Sequence, residues 1–355
     1  MSEVNIKIAD IAEQVKYNCD ISDAKYWGYF SLCGLLLRLR ELYKSEHKIS
    51  PWSNIDQKDI GNWITAKEAL WAEIEEQKFR DLHINGLSFN PLNAAEINLH
   101  LIKENLTYGA GFALYKKPVF FLGELGACIK KGDYQVYYIK REFAHDLFTS
   151  SGMLQGREIF IRLEQLKFLL WEMFLDVKCR KGSFLENIFA GTNISPDDGI
   201  SDDFEAKIDN LALRYSEVVL AHELAEAFET TDEWANIIFQ IQDRKAEYFL
   251  RGLKDMIADT SEHGPLKKAV DAKDRGSLAF YISLTEMFHK KVYTELKEIF
   301  SGFAFSEDWE KLEDARISAY SKGSLLKNKI LNANRTYKDR EDFLKTVKDL
   351  SEQKG

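Results

Sequence analysis

Between Leu106 and Arg162 the apolar pattern changes its period, and that change constrains the fold more than any other feature. Thr107 to Tyr115 is rich in glycine and aromatic residues, and two apolar runs, Val119 to Leu122 and Gln135 to Ile139, follow it. Aromatic and β-branched runs bounded by turn residues are strand signals. Lys130-Lys131-Gly132-Asp133 reads as the turn of a hairpin covering Leu122 to Ile139, and Arg157 to Arg162 reads as a further strand. Strand and helix do not alternate regularly, so the sheet is expected to be small and antiparallel.

Helical spacing brackets the strands on both sides. Upstream, helices are expected over Ile6 to Tyr17, Ser22 to Tyr43, Asp56 to Leu82 and from Pro91 to Glu104, with a proline well suited to opening the last. Downstream, they are expected over Leu163 to Lys178, Asp203 to Glu229, Glu233 to Asp259, Gly276 to Phe300 and Glu307 to Tyr320. The fold class is α+β, predominantly α-helical, with a small central antiparallel sheet. The expected regions are 1–105 (helical), 106–163 (sheet), 164–320 (helical) and 321–355 (a peripheral helix or tail), with one compact domain as the alternative. Gly182 to Asp203 is the most loop-like stretch between them.

Composition narrows the function classes. The chain has 355 residues, 45% of them hydrophobic, enough for a sizeable core. A formal charge of −9 argues against gripping a polyphosphate, so no nucleic-acid partner is expected. Cys19, Cys33, Cys128 and Cys179 are scattered without a CxxC pair, which suggests reduced, mostly buried thiols. The first residues do not read as a secretory signal, and Tyr26 to Leu37 is too short and too soon charged to span a bilayer. These features suggest a cytoplasmic protein with no membrane partner, for which homo-oligomers remain open.

The candidate chemistry lies in Val218 to Glu229. On a helix His222, Glu226 and Glu229 share one stripe, with Glu223 beside them. Leu211, Tyr215, Val218 and Val219 continue that stripe, while Leu213, Leu220, Leu224 and Phe228 make the other side apolar. A helix apolar all round is expected in the interior, where a carboxylate is costly unless paired, protonated or metal-bound.

His222-Glu223-Leu224-Ala225-Glu226, followed 21 positions later by Glu247, resembles the gluzincin metallopeptidase pattern, HExxH with a downstream glutamate ligand. It departs from that pattern where Glu226 replaces the second histidine. The resemblance covers about a tenth of the chain. It implies His222, Glu226 and Glu247 as metal ligands and Glu223 as the general base of a metal-dependent hydrolase. A set with one histidine and two carboxylates suits manganese or iron at least as well as zinc. The competing reading is a non-enzymatic scaffold in which Arg214, Arg244 or Arg251 pairs with these carboxylates, and Arg244 or Arg251 could also hold an anion.

Two further patterns stand out. Glu142-Phe143-Ala144-His145 and Glu286-Met287-Phe288-His289 are paired Glu-x-x-His motifs that resemble those of carboxylate-bridged di-iron bundles. Gly109-Ala110-Gly111 lacks the third glycine of a dinucleotide fingerprint and is expected to allow close backbone approach within the sheet. Nearby, Lys116, Lys117, Lys130 and Lys131 read as a solvated edge.

Overall fold

The computed structural model describes residues 7–180, 182–194, 200–288, 294–337 and 339–352. The chain divides into two compact units, Met1–Trp171 and Glu172–Gly355. Mostly helical α+β architecture, as the periodicity predicts, is what is found.

The first unit opens with α1 (Ile8–Tyr26), α2 (Leu32–Glu46) and α3 (Gln57–Ile74). The long apolar run expected as one helix is broken at Trp27–Tyr29, because Ser31 caps a new helix by accepting from the Gly34 amide at 3.1 Å. A short hairpin, β1 (Leu82–Ile84) with β2 (Leu87–Phe89), lies inside a stretch whose length gave it little sequence signal. It leads to α4 (Ala94–Leu101), then β3 (Leu106–Phe112), β4 (Pro118–Lys131), β5 (Tyr134–His145), β6 (Gly152–Gln155) and β7 (Glu158–Arg162). Helix α5 (Leu163–Cys179) runs through the boundary between the units.

The five-stranded sheet has the order β3-β4-β5-β7-β6. It is mixed rather than wholly antiparallel, since β5 and β7 pair in parallel, Val136 opposite Ile159. The cause is the short hairpin of β6 and β7, turned at Gly156 (φ +59°), which inserts its second strand beside β5. Strand β4 is covered on both faces: Phe120 and Leu122 enter the cluster with Val15 and Cys19 of α1, while Val119 and Phe121 join Tyr137, Ile139 and Phe160. That accounts for its unbroken apolar run.

Gly109 and Gly111 do permit close approach. A Cβ on Gly109 would fall 2.1 Å from the Phe121 ring, and one on Gly111 would fall 2.2 Å from the Gln155 carboxamide. The second contact joins the two edge strands of the sheet, so the sheet is strongly curled. Lys117, however, is buried and not part of a wet edge, for it is ion-paired to Asp23 (3.0 Å) and Asp146 (3.1 Å). Of the four cysteines only Cys19 is buried.

The second unit is helical: α6 (Phe204–Glu229), α7 (Asp232–Gln240), α8 (Arg244–Thr260), α9 (Pro265–Ala272), α10 (Arg275–Phe288), α11 (Thr294–Ser306), α12 (Trp309–Thr336) and α13 (Arg340–Glu352). The helix expected over 233–259 is two helices, because Asp243 caps α8 by accepting from the Ala246 amide at 2.9 Å. Helix α12 runs 28 residues, well past the expected end at Tyr320. Among the described residues no helix is long and apolar enough to cross a membrane.

Candidate functional site

Helix α6 carries no glycine or proline over its 26 residues, so nothing interrupts it before Thr230 turns extended and Thr231 caps α7. Its environment differs from the expected all-round burial. Leu213 and Phe228 are exposed, so the helix keeps one wet stripe, while Val218 to Glu226 is packed. Within that packed part Glu223 and Glu226 are buried and His222 is half-buried.

The partners of these groups come from α8. His222 Nδ1 lies 2.6 Å from Asp259 Oδ1, and Glu226 Oε1 lies 2.6 Å from Lys254 Nζ. The earlier residue on one helix meets the later residue on the other, so α6 and α8 are antiparallel. Tyr281 of α10 donates to the second oxygen of Asp259 at 3.3 Å. With Nδ1 committed to Asp259, the ring turns Nε2 toward Glu226 Oε1, 3.5 Å away. Asp255 completes the group: one ligand atom from each of His222, Glu226 and Asp255 lies within 4.8 Å of the others.

Glu247, the third ligand expected from the sequence, is not in this group. It precedes Asp255 by eight residues, about 12 Å along the helix axis, and its carboxylate lies 2.9 Å from Arg251 Nε. Arg251 is therefore engaged one turn away on its own helix, Arg244 is an exposed residue at the start of α8, and Arg214 pairs with Asp274 at 2.9 Å. None of the three arginines is the partner given to Glu226; Lys254 is. Glu229 accepts hydrogen bonds from Tyr320 at 3.2 Å, and its carbonyl accepts from Lys327. Asp255 and Asp259 stand outside the sequence-predicted set, because the gluzincin spacing points to Glu247 instead. The readable signal is the i,i+4 acidic pair on α8 that complements the i,i+4 pair on α6 once the helices are set antiparallel.

The two Glu-x-x-His motifs belong to different units. Glu142 is bound to Arg162 at 2.5 and 2.6 Å in the first unit, while Glu286 belongs to α10 and His289 lies outside the described residues.

Electrostatics separates the two glutamates of α6. Burial, together with the charge of Glu226, pushes Glu223 up to about 8. Glu226 is also penalised by burial, but the Lys254 ammonium and His222 outweigh it and hold its carboxyl well below the ordinary range. Burial opposes a charge on His222, yet Asp259 and Glu226 raise its pKa well above the usual value. Two carboxyl groups one turn apart thus differ in protonation at neutral pH, the arrangement by which acid and base roles are divided.

The protonation of Glu223 links folding to pH. Its folded pKa of about 8 lies above the ordinary 4.5, so between these values the native state holds a proton that the unfolded state has released. Stability of the second unit should fall as pH rises across that window. Glu223→Gln should flatten this part of the profile, read as denaturation midpoints at pH 5, 6, 7 and 8, and an unchanged slope would show that Glu223 ionises normally.

No curated protein and no solved structure matches the chain. A model of the N-terminal domain of a family of unknown function, DUF6866, matches residues 10–162, and a model of the C-terminal domain of that family matches residues 167–354. Both units are therefore accounted for by one family, and the chain belongs to DUF6866.

Proposed function

We propose that His222, Glu226 and Asp255 form a divalent-cation site and that the second unit acts as a metal-dependent hydrolase. The observation that carries this reading is the approach of the three ligand atoms to within 4.8 Å of one another. Asp259 supports it, because an imidazole whose Nδ1–H is tied to a carboxylate has its ring orientation fixed, with Nε2 directed at Glu226 and able to ligate once a cation displaces its proton. One nitrogen and two carboxylates suit manganese, iron or zinc. Such a cation would polarise a bound oxygen and make a water acidic enough to attack a carbonyl or phosphoryl group.

Glu223 is the acid–base residue in this reading. A carboxyl pushed to about 8 is protonated at neutral pH and suited to giving a proton to a leaving group. A nearby dication would draw it back toward the ionised form, in which it can accept a proton from water. Glu247 is replaced by Asp255 in the ligand set.

The second reading is a structural ion-pair network in a scaffold protein, favoured by the 2.6 Å contact between Lys254 and Glu226. Elemental analysis separates the two. Protein purified without chelator and reconstituted with Mn²⁺, Fe²⁺ or Zn²⁺ should hold stoichiometric metal, lost in His222→Ala and Asp255→Asn but kept in Glu247→Gln. No metal in the unaltered chain, or full retention in all three variants, would sink the metal reading.

A further inference from the structure

We infer that Lys254 is the resident cation of this site and acts as a latch that a divalent ion must displace. The inference rests on the cation-site reading and concerns how that site is regulated. Lys254 Nζ lies 2.6 Å from Glu226 Oε1 and 3.8 Å from Asp255 Oδ1, so one ammonium spans both ligand carboxylates. The same Glu226 oxygen faces His222 Nε2 at 3.5 Å. An ion ligated by His222, Glu226 and Asp255 would share this oxygen with the ammonium and be repelled by it at close range.

Loading is therefore an exchange of cations. The ammonium leaves Glu226 and the divalent ion takes its place, with no covalent bond made or broken. The lysine side chain is suited to this, since its stem is flexible and 18% of the side chain already reaches solvent. A monovalent ion replacing an ammonium gains no charge, whereas a divalent ion does. Lys254 thus biases the site against sodium and potassium and weakens its grip on divalent ions. A purely structural lysine would have the opposite effect: removing it would loosen the site and weaken binding.

The test is isothermal titration of the full chain with Mn²⁺, comparing the unaltered protein with Lys254→Met, Lys254→Gln and Lys254→Arg. Either neutral variant suffices, so poor folding of one leaves the test intact. The neutral variants should bind Mn²⁺ at least about tenfold more tightly, within the range of a direct coupling between two ligands, while Lys254→Arg should gain nothing. Binding by a neutral variant alone, with none by the unaltered chain, upholds the latch and overturns the reading of the unaltered chain as a metalloprotein. Binding by the unaltered chain with equal or weaker binding by the neutral variants overturns the latch and leaves the site standing. Absence of binding throughout overturns both.

Discussion

Glu142→Leu is expected to destabilise the first unit by about 3–5 kcal/mol, the range for stranding one member of a buried ion pair. Glu142 and Arg162 are both buried, and the guanidinium donates through Nε at 2.5 Å and through Nη2 at 2.6 Å, a two-pronged contact. Arg162 also lies 4.5 Å over the Phe121 ring and donates to the Phe148 carbonyl at 3.1 Å, so it cannot easily turn away to water. Burial alone would raise the Glu142 carboxyl, but Arg162 pulls it below its ordinary range. With the carboxylate gone, the guanidinium keeps its packing and loses its counter-charge. Glu142→Leu with Arg162→Met should recover much of the loss, because two apolar groups of similar volume carry no desolvation cost. Urea titrations of the two singles and the double measure this; a double variant less stable than Glu142→Leu alone would show that the pair stabilises beyond its own burial.

Lys117→Met should cost a similar amount, and the cost should grow with pH. Lys117 is the cation shared by buried Asp23 and Asp146, and it is also 3.0 Å from Ser22 Oγ. The two aspartates accept amide hydrogens from Leu147, Phe120 and Phe148, so the triad ties α1 to the ends of β4 and β5. Burial pushes the Asp23 carboxyl up to about 7 even against the pull of Lys117. Between its ordinary 3.8 and that value the native state binds the extra proton, so stability already falls as pH rises there. Without Lys117 the Asp23 carboxyl loses the charge that opposes its burial, and the window extends upward. The variant should be mildly affected at pH 5 and lose about 3–5 kcal/mol at pH 8, comparable to breaking a buried pair. A loss independent of pH would assign the effect to packing alone.

Much of the fold could be read from the sequence because period is local. The hairpin turn at Gly132-Asp133 and the start of α6 near Phe204 lie where glycine, aspartate and the apolar spacing place them. Features set by tertiary contact were not readable. The parallel pairing of β5 and β7 depends on where a short hairpin docks, and the burial of Lys117 depends on two aspartates far from it in sequence. The same division holds at the candidate site. The i,i+4 relation of His222 and Glu226 is a property of one helix. The identity of their partners depends on the register between α6 and α8, which selects Lys254, Asp255 and Asp259 over Arg251 and Glu247. A spacing borrowed from a metallopeptidase pattern carried no information about that register.

Pulsed electron paramagnetic resonance on Mn²⁺-loaded protein detects nitrogen bonded to the ion and so reports whether His222 is a ligand. Imidazole nitrogen modulation is expected from a single bound Mn²⁺ in the unaltered chain, abolished by His222→Ala and retained on substitution to Ala of His263, whose ring lies 5.0 Å from that of Phe228. Mn²⁺ that shows no nitrogen coupling, or a coupling that survives His222→Ala, would contradict ligation by His222.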